Sequence, residues 1–430
     1  MEKVISFFKK TMVQRILFTF FVLLIYRLGS LLPVPFINQA AWQQSFADQD
    51  GSIFDFLNVL GGGAFKQFSI FALSVSPYIT ASIVVQLLSQ DVIPVLTRWQ
   101  KEGVNGKRKR GTLTRILALV LGFTQGLALA ISYNIADEGK LLTVAGNYEI
   151  FVYVALMLTA GTAVLMWLSD MITKKGVGNG VSMIILSGII SQLPTQITSI
   201  WDHFNGETAT FANGQLISAA MYVFLLVTMI IVVYMQEAER RIPIQYTNAT
   251  MLTKVKKSVT YLPLKLNSAG VIPVIFANAI ITLPITISSL FFKDSTQGQW
   301  IIQNLKMTEP IGFSLYLGLT FIFTYFYSFI QIDPEKVSEN LAKQNSFIPG
   351  VRPGEETQSY VSKVLWRITT VGAIYLTLLV ALPVLIEMFL DVQISLGGTS
   401  IIILTGVALE TVRQMRNQYS VQKYVNYLED

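Results

Sequence analysis

Apolar runs long enough to cross a bilayer recur from one end of this chain to the other, and that feature excludes most folds. A span needs about 20 mostly apolar residues to traverse roughly 30 Å of hydrocarbon. Such runs lie near 16–34, 68–90, 113–133, 150–169, 181–200, 215–235, 269–292, 310–331, 365–388 and 399–415. The last is the weakest, strongly apolar only from about Ser400 to Leu409. Soluble domains carry about 25% charged residues. This chain carries 13%, with 52% hydrophobic residues, too few charges to dress a water-soluble globule of its length. A disordered tail, a coiled coil and a cytosolic enzyme are excluded, and an all-α, multi-pass membrane protein is expected.

Charge placement tests the number of spans. Cytoplasmic loops of membrane proteins collect Lys and Arg. With the N-terminus placed inside, 27 of the 32 Lys and Arg residues fall on inside segments. Lys66, Lys140, Lys293 and Lys306 fall outside, and Arg27 sits at the outer end of the first span. An omitted or invented span would scramble this bias, so ten spans with both termini inside are expected. The basic start followed by Ile16–Ile25 mimics a secretory signal, but no small-x-small cleavage site follows, and an uncleaved first span is expected. Two inside loops are long, 236–267 and 332–363. They serve either as topology signals with attraction to anionic lipid or as docking surfaces for a cytosolic partner.

Little chemistry is available to such a chain. It has no cysteine, which removes disulfides, iron–sulfur clusters and thiol catalysis. One histidine, His203, cannot build an ordinary zinc site. The span centres are nearly free of the carboxylates that proton-coupled transporters use. No P-loop or nucleophile elbow is present. Lys175-Gly-Val-Gly-Asn-Gly180 joins two spans without a preceding strand, so it reads as a tight turn in which Asn179-Gly180 needs permissive dihedrals. No cofactor and no catalytic residue are expected.

Two details point to internal organisation. Pro77 and Pro273 lie near the beginning or middle of the second and seventh spans, equal ranks if ten spans divide as five plus five. Because five is odd, such halves would be inverted, and prolines at matching spans mark where helices bend or gate. Within 52–67, Ser52–Leu60 is apolar but too short to span, and Gly61-Gly62-Gly63 follows, which suggests a re-entrant or interfacial piece beside a flexible break.

Several stretches together resemble the SecY family, the pore subunits of the bacterial Sec protein translocase: Ser69–Ile83, Lys175–Ser182, Tyr261–Pro273, Phe347–Glu355 and Gly397–Ser400. The resemblance implies ten helices in two inverted five-helix halves, 1–200 and 201–430, around a central hourglass pore. Carried over by motif position, it implies a pore ring of Ile79, Ile83, Ile185, Ile275 and Ile403. Segment 52–67 would be a plug helix, with Phe54, Phe56 and Leu57 in its body and Gly61, Gly62 and Gly63 as its hinge. Thr80 and Gln125 match polar positions of a lateral gate to lipid.

The resemblance also implies that Arg240, Arg241 and Arg352, on the two long loops, dock the SecA motor ATPase and the ribosome. SecE and SecG are implied as small membrane subunits, and secretory precursors with signal sequences as cargo. The inner (plasma) membrane is the implied location. The expected function is a non-enzymatic protein-conducting channel that also releases hydrophobic segments into the lipid bilayer. A secondary transporter for a small solute and a scaffold anchoring a cytosolic complex are the other readings of the bare topology.

Overall fold

The computed structural model describes residues 11–39, 42, 58, 61–90, 92–136, 148–205, 214–246, 260–291, 295–390 and 398–429. Among them the fold is mostly helical and divides into two compact units. One comprises Met1–Ile200, Ser289–Lys293 and Val407–Asp430; the other comprises Trp201–Ser288 and Asp294–Gly406. Among the described residues, seven stretches are long and apolar enough to cross a membrane: Met12–Ser30, Val104–Ile131, Glu149–Lys175, Gly180–Asn205, Gly214–Glu237, Pro310–Lys343 and Glu355–Met388.

The first unit is built on α1 (Thr11–Ser30), α2 (Ser76–Leu88), α3 (Pro94–Lys101), α4 (Val104–Ala136), α5 (Tyr148–Lys175) and most of α6 (Gly180–Asn205). Helix α4 packs along α5 and against α2, and α1 packs on α5. Small residues set these approaches, as expected where no hydrophobic effect draws helices together in lipid. A Cβ at Gly126 would lie 3.4 Å from the Ala155 Cα, and one at Gly161 would collide with the Ile70 carbonyl.

The expected second span, 68–90, is helical only over its second part. Pro77 lies in the first turn of α2, where its missing N–H costs nothing. Residues 61–75 run as successive turns, among which Phe68 and Ser74 take positive φ. At 13 residues α2 is about 20 Å long, short of the hydrocarbon thickness. The preceding turns are held in a core of Val34, Ile37, Trp42, Phe65, Phe68, Ala72 and Leu73. There Trp42 Nε1 donates to the Phe65 carbonyl at 3.0 Å, and its ring meets that of Phe68 edge-on at 4.5 Å.

The second unit holds α7 (Gly214–Glu237), β1 (Glu239–Tyr246), β2 (Thr260–Lys265), most of α8 (Ile272–Phe291), α9 (Thr296–Asn304), α10 (Pro310–Gln331), α11 (Pro334–Lys343), β3 (Ser346–Phe347), α12 (Glu355–Leu390) and the start of α13 (Gly398–Glu429). Helix α7 is patterned inside out. Ser218, Met221, Thr228 and Val232 are buried, while Leu216, Leu226 and Ile230 are each more than 60% exposed. A face of large exposed aliphatics is costly in water and ordinary against acyl chains. Helix α10 buries Tyr316, Thr320, Thr324, Tyr327 and Ser328 along one stripe and packs on α12.

The expectation of an all-α chain needs one correction. Strands β2, β1 and β3 form a three-stranded antiparallel sheet, with Arg240 opposite Leu264, Arg241 opposite Pro263, and Gln245 opposite Phe347. The sequence alternates here with period two: Ile242 and Ile244 are buried, and Arg241, Pro243 and Gln245 are exposed. The inward side chains join Leu264, Leu341, Ile348, Val361 and Ile368 in one core. The two long loops, treated separately in the sequence, are therefore a single folded module.

Candidate channel elements

Of the five isoleucines expected at the ring, Ile79, Ile83 and Ile185 lie in the first unit, and Ile275 and Ile403 in the second. Ile79 and Ile83 stand four apart on α2, on one helical face. Ile83, Ile185 and Ile403 are buried, whereas Ile79 and Ile275 are half-buried. Ile403 follows a residue that is tied down. The Gln236 side chain on α7 donates through Nε2 to the Ile402 carbonyl at 3.0 Å. Gly406, one turn along α13, leaves room for it, since a Cβ there would lie 3.4 Å from the Gln236 amide.

Phe54, Phe56 and Leu57 lie outside the described residues, but the glycine run after them does not. The sequence suggests a free break; the structure shows a seated turn. Gly61 and Gly62 are buried, and Gly62 and Gly63 have φ of 65° and 88°. The Tyr26 hydroxyl donates to the Gly61 carbonyl at 2.9 Å, and the Arg27 guanidinium donates to the Gly62 carbonyl. A Cβ at Gly62 would lie 2.8 Å from the Gly188 Cα on α6. Glycine is required here by handedness and by contact together.

Thr80 and Gln125, the expected gate residues, are half-buried on α2 and α4, two helices that pack together. The Thr80 hydroxyl donates to its own helix, to the Ser76 carbonyl at 3.1 Å. The turn 175–180 differs in detail from its expectation. The positive φ belongs to Gly178 (84°), while Asn179 immediately precedes α6 and accepts the Val181 N–H on Oδ1 at 3.1 Å. Gly180 is needed for contact, because a Cβ would overlap the Ser169 carbonyl. Thr19 on α1 anchors the turn by accepting the Val177 N–H at 2.9 Å.

The basic residues stand on the sheet module. Arg240 and Arg241 are exposed on β1, and Arg241 pairs with Glu239 at 2.9 Å. Arg352 is exposed, and no acid pairs with its guanidinium among the described residues. Its backbone is well held. The Arg352 N–H donates to Glu356 Oε2 at 3.3 Å, and its carbonyl accepts from Thr357 Oγ1 at 2.8 Å. Pro353 restricts Arg352 to extended conformations. Gly350 (φ 83°) and Gly354 (φ 104°) turn the chain on either side, with open space where each Cβ would be.

This loop is anchored at two further points. Ser338 Oγ donates to the Gly354 carbonyl at 2.8 Å, and Asp333 caps α11 by accepting the Glu335 N–H at 3.1 Å. Gly354→Ala should therefore act through backbone strain alone, about 1–2 kcal/mol. Amide hydrogen exchange over 348–357 should accelerate about five- to thirtyfold. Unchanged exchange would mean that the left-handed turn does not hold the loop.

What the sequence missed is the alliance of the two loops, and the only available signal was the short alternation at 241–245. Known proteins supply the frame for these elements. The protein translocase subunit SecY of Bacillus subtilis (strain 168) is 43% identical over 426 residues, covering 97% of this chain and 96% of that protein. The corresponding subunit of Staphylococcus carnosus (strain TM300) is 41% identical, with 99% of each chain covered. Among solved structures, a protein conducting channel aligns with a TM-score of 0.66 at 16% identity, covering 94% of this chain and 92% of that one. Sec61 of the canine ribosome–channel complex from the endoplasmic reticulum aligns with a TM-score of 0.61 at 14% identity, again covering 94% and 92%. The SecY family model matches residues 69–412, a stretch that runs from the turns before α2 through the Arg352 loop into α13, and this chain belongs to that family.

Proposed function

We propose that this chain is the channel-forming subunit of a protein translocase, moving unfolded secretory polypeptides across a membrane and releasing hydrophobic segments sideways into lipid. Family membership over nearly the whole chain carries this reading. It favours polypeptide cargo over a small solute, and the family is one of channels rather than enzymes.

The finer architecture follows as part of the same proposal. Ten helices form two inverted halves, 1–200 and 201–430, around an hourglass pore. Ile79, Ile83, Ile185, Ile275 and Ile403 form its waist, and a waist of branched aliphatics excludes water and ions by dewetting. It can yield around an extended polypeptide because it holds no fixed hydrogen-bond partners. Segment 52–67 is the plug, pivoting at Gly61–Gly63, and Thr80 and Gln125 belong to the lateral gate. The sheet module presents Arg240, Arg241 and Arg352 to SecA and to the ribosome. SecE and SecG complete the complex in the inner membrane, with both termini of this chain inside.

The test is import. The chain, reconstituted in vesicles with the small subunits, SecA and ATP, should bring an unfolded secretory precursor to a protease-protected space. A vesicle population that accumulates small solutes but no precursor would overturn the channel reading.

A further inference from the structure

The seated glycine turn carries an inference of its own. Tyr26 and Arg27 are consecutive on α1, and they hold the consecutive carbonyls of Gly61 and Gly62. Tyr26 is fully buried, and its ring stacks on Phe71 at 6.0 Å, so its hydroxyl is aimed by packing. Arg27 also reaches Ser30 Oγ at 3.4 Å, and that hydroxyl is turned by donating to the Arg27 carbonyl at 2.7 Å. From the other side, Ser191 Oγ on α6 lies 3.4 Å from the Gly62 carbonyl, while the Gly188 backbone closes on the turn. All of these residues lie in the first unit.

The chemistry makes this contact unlike an ordinary loop contact. A guanidinium within a span is costly unless polar groups or water satisfy it. The positive φ of Gly62 and Gly63 accompanies a turn that offers two adjacent carbonyls to α1. If the turn leaves, Arg27 loses a charge-assisted acceptor, and the buried Tyr26 hydroxyl loses the carbonyl to which it donates and keeps only its contact with Ser74. Both losses oppose departure.

We propose that Tyr26 and Arg27 are positioning residues forming a latch that seats the Gly61–Gly63 turn against α1 and α6 and sets how often it leaves. This rests on the reading above, in which that turn is a pivot of the channel's closure. Loss of both donors should raise the unseated fraction about ten- to hundredfold.

The chain has no cysteine, so spin labels can be introduced cleanly at Lys66→Cys and Ile197→Cys in the reconstituted complex. Pulsed electron–electron resonance then reads the position of the turn relative to α6, and single-channel recording reads the resting leak. Tyr26→Phe with Arg27→Gln should broaden the distance distribution and raise the leak, and Tyr26→Phe keeps the stack on Phe71. Arg27→Lys should restore part of the seating, since an ammonium still reaches one carbonyl. Gly62→Ala should unseat the turn with the latch residues intact. An unchanged distribution in the double variant would overturn the latch, whatever the leak does. A broadened distribution with an unchanged leak would uphold the latch and remove the turn from the channel's closure.

Discussion

Arg352→Glu should abolish SecA-driven import while leaving the membrane insertion of the chain intact. The side chain is exposed and has no acidic partner of its own among the described residues. Its replacement therefore breaks no ion pair among the described residues, and the change in stability should stay within about 0.5 kcal/mol. Its backbone, by contrast, is clasped by Glu356 and Thr357 between two left-handed glycines. A well-held loop presenting a guanidinium with no acidic partner among the described residues suits a contact made with something outside the chain.

Loss of a desolvated charge contact costs on the order of 2–5 kcal/mol, which corresponds to roughly thirtyfold or more in coupling, and charge reversal adds repulsion. Arg352→Lys separates two explanations. If charge alone matters, lysine should serve as well. If paired hydrogen bonds matter, lysine should be intermediate, because an ammonium lacks the planar fork. ATP-dependent import with each variant decides, and wild-type import by the glutamate variant would return Arg352 to a mere inside charge.

Ile83→Ser combined with Ile403→Ser should make the resting channel leak ions. Both side chains are buried, in different units. A hydroxyl at each position would give water a partner where the native aliphatics give none, and wetting a narrow apolar constriction removes its barrier to ions. Conductance of the resting channel should rise at least tenfold on the dewetting argument, and export of precursors with poor signals should relax. Ile83→Leu with Ile403→Leu should keep the seal, since shape changes but polarity does not. A double serine channel as tight as the native one would place the seal elsewhere.

The membrane character of the chain and its family were both legible in the residues. Hydropathy and charge are local and additive, so apolar runs declare themselves whatever they pack against. The stretch around Arg352 was legible for a similar reason, since Pro353 restricts the residue before it and the flanking glycines permit left-handed turns.

Three features were decided by tertiary structure. The second span shortens to Ser76–Leu88 because the turns before it are packed under Trp42 and Phe68, and hydropathy alone does not distinguish apolar turns from apolar helix. The two long loops pair as β2-β1-β3, and strand partners remote in sequence are chosen by a shared core, here Ile242, Ile244, Leu264 and Ile348. Gly61–Gly63 reads in the sequence as freedom and in the structure as confinement. A missing side chain permits a backbone to move and equally permits two backbones to touch, and only the placement of Gly188, Tyr26 and Arg27 around the turn decides between the two.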